Sequence, residues 1–159
     1  MKQLVLSISL VLALNSGYGQ VEKEAEFFTK LPVSISDSLL RTFVLDWKGN
    51  PYRLGGKTER GIDCSQFNKR LAADVYRIRL GNTCSDQWKE TIRVKKDNLR
   101  AGDLVFFRSV DSPTGWHCGT YIGDTYFIHA ANAHQGVIVS SLNDSAYMKR
   151  YKGGGRYKK

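Results

Sequence analysis

The segment Gly61-Ile62-Asp63-Cys64-Ser65-Gln66-Phe67-Asn68-Lys69-Arg70-Leu71-Ala72-Ala73-Asp74-Val75 decides how the chain is read. Its first three residues close a glycine-bearing loop. From Cys64 onward the apolar residues Phe67, Leu71, Val75 and Ile78 recur every three or four positions, the spacing of one helix face. The spacing predicts a helix that starts at Cys64 and stops at Gly81-Asn82. A cysteine at a helix start lies in the partial positive charge of the macrodipole, which favours its thiolate. It also lies beside backbone N–H groups with no intrahelical partner, which can hold a developing oxyanion. Such a residue can be both nucleophile and part of an oxyanion hole; a small buried apolar cysteine is the alternative.

Upstream, Ser36-Asp37 offers an N-cap for a helix carrying Leu39, Leu40, Phe43, Val44 and Trp47, ended by Gly49-Asn50-Pro51. Tyr52 to Lys57 reads as a short extended piece. Downstream, Ser85-Asp86-Gln87-Trp88 reads as a short helical turn, with Cys84 in the loop before it. Strands follow at Leu104–Phe107, His117–Ile122, Tyr126–Ala130 and Val137–Val139, separated by turn residues. Helices first and an antiparallel meander second is an α+β layout.

His117 and His129 fall on two strands joined by Gly123-Asp124-Thr125. With Ile122 paired to Tyr126, Gly119 faces His129, and His117 becomes its diagonal neighbour on the same face. A two-residue loop would shift this register by one and send the imidazoles to opposite faces. Gly119 leaves room between the rings. A cysteine nucleophile needs a base and a group orienting that base, and His117 and His129 suit those roles. Cys64, His117 and His129 are also a conceivable ligand trio for zinc, but no closely spaced His or Cys pair pre-organises a site, so the expectation is no metal and no cofactor. His134, in a turn-like segment, is given no role.

The 159 residues carry a net charge of +9 and three cysteines. That suits one domain and excludes a disulfide-rich scaffold or a disordered chain. Met1-Lys2-Gln3, an uncharged run from Leu4 to Leu14 and small residues at Gly17 and Gly19 read as a signal peptide over residues 1–19. The run is too short for a transmembrane helix, which needs about 20 apolar residues. Residues 20–38 read as a lead-in segment and 39–159 as the domain with a basic tail. The tail holds Lys149, Arg150, Lys152, Arg156, Lys158 and Lys159. Export and the lack of a nucleic-acid-binding motif argue against a nucleic-acid partner. An acidic envelope polymer fits the compartment, and charges that merely keep the protein soluble are the bland alternative.

Several stretches in order resemble one family. They are Pro51-Tyr52-Arg53-Leu54-Gly55-Gly56, Gly61-Ile62-Asp63-Cys64-Ser65, Leu99-Arg100-Ala101-Gly102-Asp103-Leu104-Val105-Phe106-Phe107, His117-Cys118-Gly119-Thr120-Tyr121-Ile122-Gly123, Phe127-Ile128-His129-Ala130 and Gly136-Val137-Ile138-Val139-Ser140-Ser141-Leu142. Together they resemble the NlpC family of papain-like cell-wall cysteine peptidases, and most of all its small single-domain murein endopeptidases. The resemblance implies a papain-like α+β fold and a Cys64-His117-His129 triad. It places Tyr52 beside the nucleophile, with Asp63 and Ser65 flanking it and reading the substrate.

The resemblance further implies an exported, monomeric endopeptidase of the periplasm or cell exterior. It would hydrolyse D-Glu–diaminopimelate or D-Ala–diaminopimelate bonds in peptidoglycan stem or cross-link peptides. A non-catalytic wall-binding module and an antibacterial amidase are the other readings. Two features depart from the family. Gln66 replaces a usual glycine, where it can narrow the cleft. Cys118 replaces a usual apolar residue, and strand alternation points it away from His117 toward the core. A Cys84–Cys118 disulfide and two separate thiols both remain open.

Overall fold

Local capping sets the first helix. In this computed structural model, which describes Val33, residues 35–110 and residues 112–158, Asp37 Oδ1 accepts from the N–H groups of Leu39 (3.0 Å) and Leu40 (3.1 Å). That caps α1, Ser38–Trp47. The helix buries Leu40, Phe43, Val44 and Trp47, whereas Leu39, read with the apolar stripe, is 60% exposed. The chain divides into two units, Met1–Ser34 and Ile35–Lys159, and the architecture below is that of the second. The signal-peptide reading and nearly all of the lead-in lie outside the described residues.

Two short strands, β1 (Lys57–Thr58) and β2 (Gly61–Ile62), pair antiparallel and lead into α2, Cys64–Tyr76. Phe67 of α2 is fully buried and takes the rings of Phe43 and Trp47 edge-on at 5.7 and 5.9 Å. Burying one such side chain stabilises the fold by about 2–3 kcal/mol.

The helix ends earlier than its apolar spacing predicts. Arg77 adopts the left-handed conformation (φ 60°), and its N–H reaches the carbonyls of Ala72 and Ala73. Ile78 continues the spacing by packing against the core from beyond the helix, beside buried Leu80. α3, Cys84–Glu90, begins at Cys84 itself, which the sequence reading leaves in a loop. Thr83 and Asp86 form a reciprocal capping box that sets this start.

The remaining strands are β3 (Ile92–Val94), β4 (Leu104–Arg108), β5 (Trp116–Gly123), β6 (Tyr126–Asn132), β7 (Gly136–Ser141) and β8 (Tyr151–Arg156). They form one antiparallel sheet in the order β3-β8-β4-β5-β6-β7. A 3-10 turn, Lys96–Asn98, and the four-residue α4, Ser145–Met148, complete the unit. β4 is buried on both faces: Leu104 and Phe106 join one apolar cluster with Ala72, Cys84 and Cys118, and Val105 and Phe107 join another with Phe127 and Leu142.

The sequence reading puts the residues of β8 in the basic tail. It is an interior strand of the sheet, and its glycines let it lie close to its neighbours. A Cβ at Gly154 would come within 2.6 Å of Leu99 Cδ2. Arg156 is held there by Asp103 through two hydrogen bonds, Nε to Oδ1 at 2.8 Å and Nη2 to Oδ2 at 2.6 Å.

The β5–β6 hairpin keeps the expected register by a different route. Asp124 (φ 45°) and Thr125 (φ 71°) form a two-residue turn with both residues left-handed. That turn pairs Gly123 with Tyr126, one step off the expected Ile122–Tyr126 pair. A bulge between Tyr121 and Gly123 then restores the register, so that Tyr121 faces Phe127 and Thr120 faces Ile128. The two irregularities cancel, and both histidines stay on one face.

Candidate active site

A cleft of about 600 Å³ opens where the start of α2 meets the starts of β5 and the ends of β6. Tyr52, Asp63, Cys64, Ser65, His117 and His129 all line it. The structure thus gathers all six residues singled out in the sequence.

Asp63 is the N-cap of α2. Its Oδ1 accepts from the Gln66 N–H at 2.9 Å and its Oδ2 from the Gly55 N–H at 2.9 Å. The Ser65 hydroxyl lies 2.8 Å from Asp63 Oδ1 and 2.9 Å from the Asn82 carbonyl. Both side chains are buried and tie the loops around Gly55 and Asn82 to the helix start, so they shape the walls of the cleft. Gln66 also turns to that loop, its amide donating to the Asn82 carbonyl at 2.9 Å. Behind the helix start, the buried Gln87 amide donates to the carbonyls of Ser65 (2.8 Å) and Gly81 (3.0 Å). Tyr52 is fixed by a bridge to Ile62, and burial together with the nearby Cys64 and Asp63 raises its hydroxyl pKa.

Cys64 is a free cysteine, and Cys84 and Cys118 form a disulfide. The Cys64 Sγ lies 3.5 Å from Cys84 Sγ. The sequence reading expects the helix start to favour a thiolate, and here the structure differs. Burial first, and the Asp63 carboxylate second, push the Cys64 thiol up to about 11. The N–H groups of Cys118, Ser65 and Cys64 face the sulfur and pull the other way without prevailing. The cap that builds the helix start is itself the charge that opposes the anion. Cys118 follows His117 directly in the chain, so its N–H at the sulfur brings the strand that carries His117 up to Cys64.

His117 Nε2 and His129 Nδ1 are 2.7 Å apart. His129 is fully buried, and its Nε2 lies 3.0 Å from Ser140 Oγ and 3.3 Å from Tyr147 Oη. Burial and the Arg150 guanidinium lower His117 to about 4, and burial, His117 and Arg150 hold His129 well below the usual range. Both rings are therefore neutral at pH 7. When His117 Nε2–H donates to His129 Nδ1, and His129 Nε2–H to Ser140, Nδ1 of His117 is left without a proton. Among the described residues no protein group hydrogen-bonds that nitrogen. The arrangement can accept a thiol proton at Nδ1 and stabilise the resulting imidazolium through His129.

Ser140 and Tyr147 escape the sequence reading. Ser140 lies in a quoted motif on β7, opposite Phe127 on β6, yet nothing local shows that its hydroxyl reaches His129. Tyr147 comes from α4, a single turn with no periodic pattern.

The NlpC/P60 family model matches residues 49–156. The chain is 45% identical over 106 residues to the Escherichia coli K12 murein DD-endopeptidase MepS/murein LD-carboxypeptidase, covering 67% of this chain and 55% of that protein. It is 32% identical over 129 residues to the gamma-D-glutamyl-L-lysine dipeptidyl-peptidase of Bacillus cereus, covering 80% of this chain and 38% of that one. The chain spans about half the length of the first of these and less of the second. Among solved structures, an NlpC/P60 family protein from Bacillus cereus superposes with a TM-score of 0.69 at 29% identity, over 80% of this chain and 41% of that one. The NlpC/p60 domain of the peptidoglycan hydrolase SagA gives 0.63 at 25%, over 77% and 99%.

Proposed function

Because this chain belongs to the NlpC/P60 family, we propose that it is an exported cysteine endopeptidase of peptidoglycan stem or cross-link peptides. Cys64 is the nucleophile, His117 the general base and acid, and His129 the group that orients His117. The observation that carries this reading is the 2.7 Å contact between His117 Nε2 and His129 Nδ1, in a cleft shared with a free cysteine at a helix start. Export rests on the first nineteen residues, and among the described residues no helix is long and apolar enough to cross a membrane.

At rest the thiol and the imidazole are both neutral. His117 Nδ1 takes the thiol proton as the sulfur attacks the scissile carbonyl. The Cys64 N–H donates to the oxyanion, with the Tyr52 hydroxyl near it. The amine leaves with the proton from His117, and His117 then activates water to hydrolyse the thioester. His129 accepts the Nε2–H bond throughout and is held by Ser140 and Tyr147. Asp63 and Ser65 act mainly by holding the cleft walls against the stem peptide.

The scissile bond is D-Glu–diaminopimelate or the D-Ala–diaminopimelate cross-link. The relatives carry endopeptidase and dipeptidyl-peptidase names, which supports the peptide class rather than one bond. Of the basic C-terminal residues, Arg156 is paired with Asp103, Lys152 lies over the Trp116 ring and Arg150 donates to the Ala146 carbonyl. Among the described basic residues of the tail, attraction to an acidic envelope polymer therefore falls to Lys149 and Lys158. Digesting purified sacculi with the full chain and identifying muropeptides by mass spectrometry tests the reading. The expected result is new peptide products whose masses name the bond, and none from Cys64→Ala despite an unchanged circular dichroism spectrum. Wild-type digestion by Cys64→Ala would refute the nucleophile.

A further inference from the structure

We propose that Cys64, Cys84 and Cys118 form a thiol–disulfide exchange centre, in which the bridge between Cys84 and Cys118 migrates onto the nucleophile and switches it off reversibly. The chain has three cysteines, and the fold brings all of them together from α2, α3 and β5. Their sulfurs lie within 4.8 Å of one another, and the free Cys64 Sγ is 3.5 Å from the bridged Cys84 Sγ. Nothing in the peptide chemistry above uses a disulfide at that place. Cys118 is fully buried and Cys84 is 3% exposed, so the bridge is almost wholly covered and meets solvent only where Cys84 lines the cleft. Cys64 is the thiol that touches it.

The exchange balances without an outside oxidant or reductant. The Cys64 thiolate attacks Cys84 Sγ, the Cys64–Cys84 bond forms and the Cys84–Cys118 bond breaks. The electron pair leaves on the Cys118 sulfur, which takes the proton that Cys64 gave up. Attack runs in line with the breaking bond, and an in-line row would set the outer sulfurs about 5.5 Å apart. The three sulfurs form a tighter triangle, so Cys64 must first move into line with the bridge.

The migrated form has no thiol at position 64 and is inactive. Its sulfur is also shielded from irreversible oxidation to the sulfinic and sulfonic acids. A small dithiol entering the cleft, which both Cys64 and Cys84 line, reopens it. The loss of activity rests on Cys64 being the nucleophile; the migration does not.

Tryptic cleavage puts each cysteine in its own peptide, 61–69, 80–89 and 109–149. The test incubates the full chain over a range of pH with no added thiol or oxidant, and in parallel in glutathione buffers of graded redox ratio, quenches in acid, blocks free thiols with N-ethylmaleimide at mildly acidic pH and maps cross-linked peptides without reduction. Sacculus digestion is assayed in parallel. The expected result is a species joining 61–69 to 80–89 with Cys118 alkylated, a matching fall in activity, and recovery with dithiothreitol. A map that in every buffer joins only 80–89 to 109–149, with Cys64 always alkylated, overturns the proposal. In Cys118→Ser, oxidation should pair Cys64 with Cys84 directly and lower activity at least about tenfold until dithiothreitol is added. Insensitivity to oxidant in that folded variant also overturns it. Migration seen in a chain that digests no sacculi in any redox state would instead leave the exchange standing and remove the peptidase reading.

Discussion

The sulfur side and the imidazole side of the cleft are built differently and arrive at the same electrical state. On the sulfur side, the start of α2 is shaped by a buried carboxylate, and burial with Asp63 raises the thiol. On the imidazole side, the β5–β6 hairpin is buried against aromatic rings, and burial with Arg150 lowers both histidines. Each side thus favours its uncharged form. The lesson is that a helix start does not by itself make a thiolate: the desolvation cost and a nearby anion outweigh the dipole here. On the proposed mechanism the proton must then move during attack, which puts the weight on His117.

Removing His117 breaks the imidazole side and leaves the sulfur side intact. His117→Ala should lower kcat/KM on a purified muropeptide by about 10³-fold, and His129→Ala by about 10²-fold, since an orienting group contributes less than the base it orients. The reverse order would exchange the two roles.

Gly119 sharpens the comparison because it packs directly against His129. An added Cβ would lie 2.9 Å from His129 Cβ and 2.8 Å from the Ile128 carbonyl oxygen. Gly119→Ala should cost about 2 kcal/mol in urea unfolding and lower kcat/KM roughly tenfold by displacing His129. Wild-type stability and activity would mean that the hairpin register tolerates what the packing forbids.

The two sides also differed in how legible they were. A helix that starts at Cys64 follows from local signals and holds in the structure; Asp63, read only as flanking Cys64, proves to be the N-cap of that helix. The end of α2 did not follow, because Ile78 kept the apolar rhythm past a turn made by Arg77, a residue type rarely found left-handed. The histidine pairing was legible only because two departures cancel: the turn is one residue shorter than expected and the bulge supplies that residue back. β8 was hidden by its glycines and charges, which have low strand propensity and are recruited by close packing and by Asp103. Ser140 and Tyr147 meet His129 only through tertiary contacts. The gathering of Cys84 and Cys118 at Cys64 likewise needed the capping box at Thr83, which puts Cys84 at a helix start; the sequence left a disulfide and two separate thiols both open.

The neutral resting pair is tested most directly by the pH dependence of Cys64 alkylation, with the Cys84–Cys118 bridge intact and Cys64 the one free thiol. A thiol held near 11 reacts faster at every step of rising pH from 6 to 10, because the reactive thiolate stays a small, growing fraction below its pKa. That continuous rise is the expected result. A rate that is already level at pH 6 would show a preformed thiolate, and would contradict the account of how burial and Asp63 set the nucleophile.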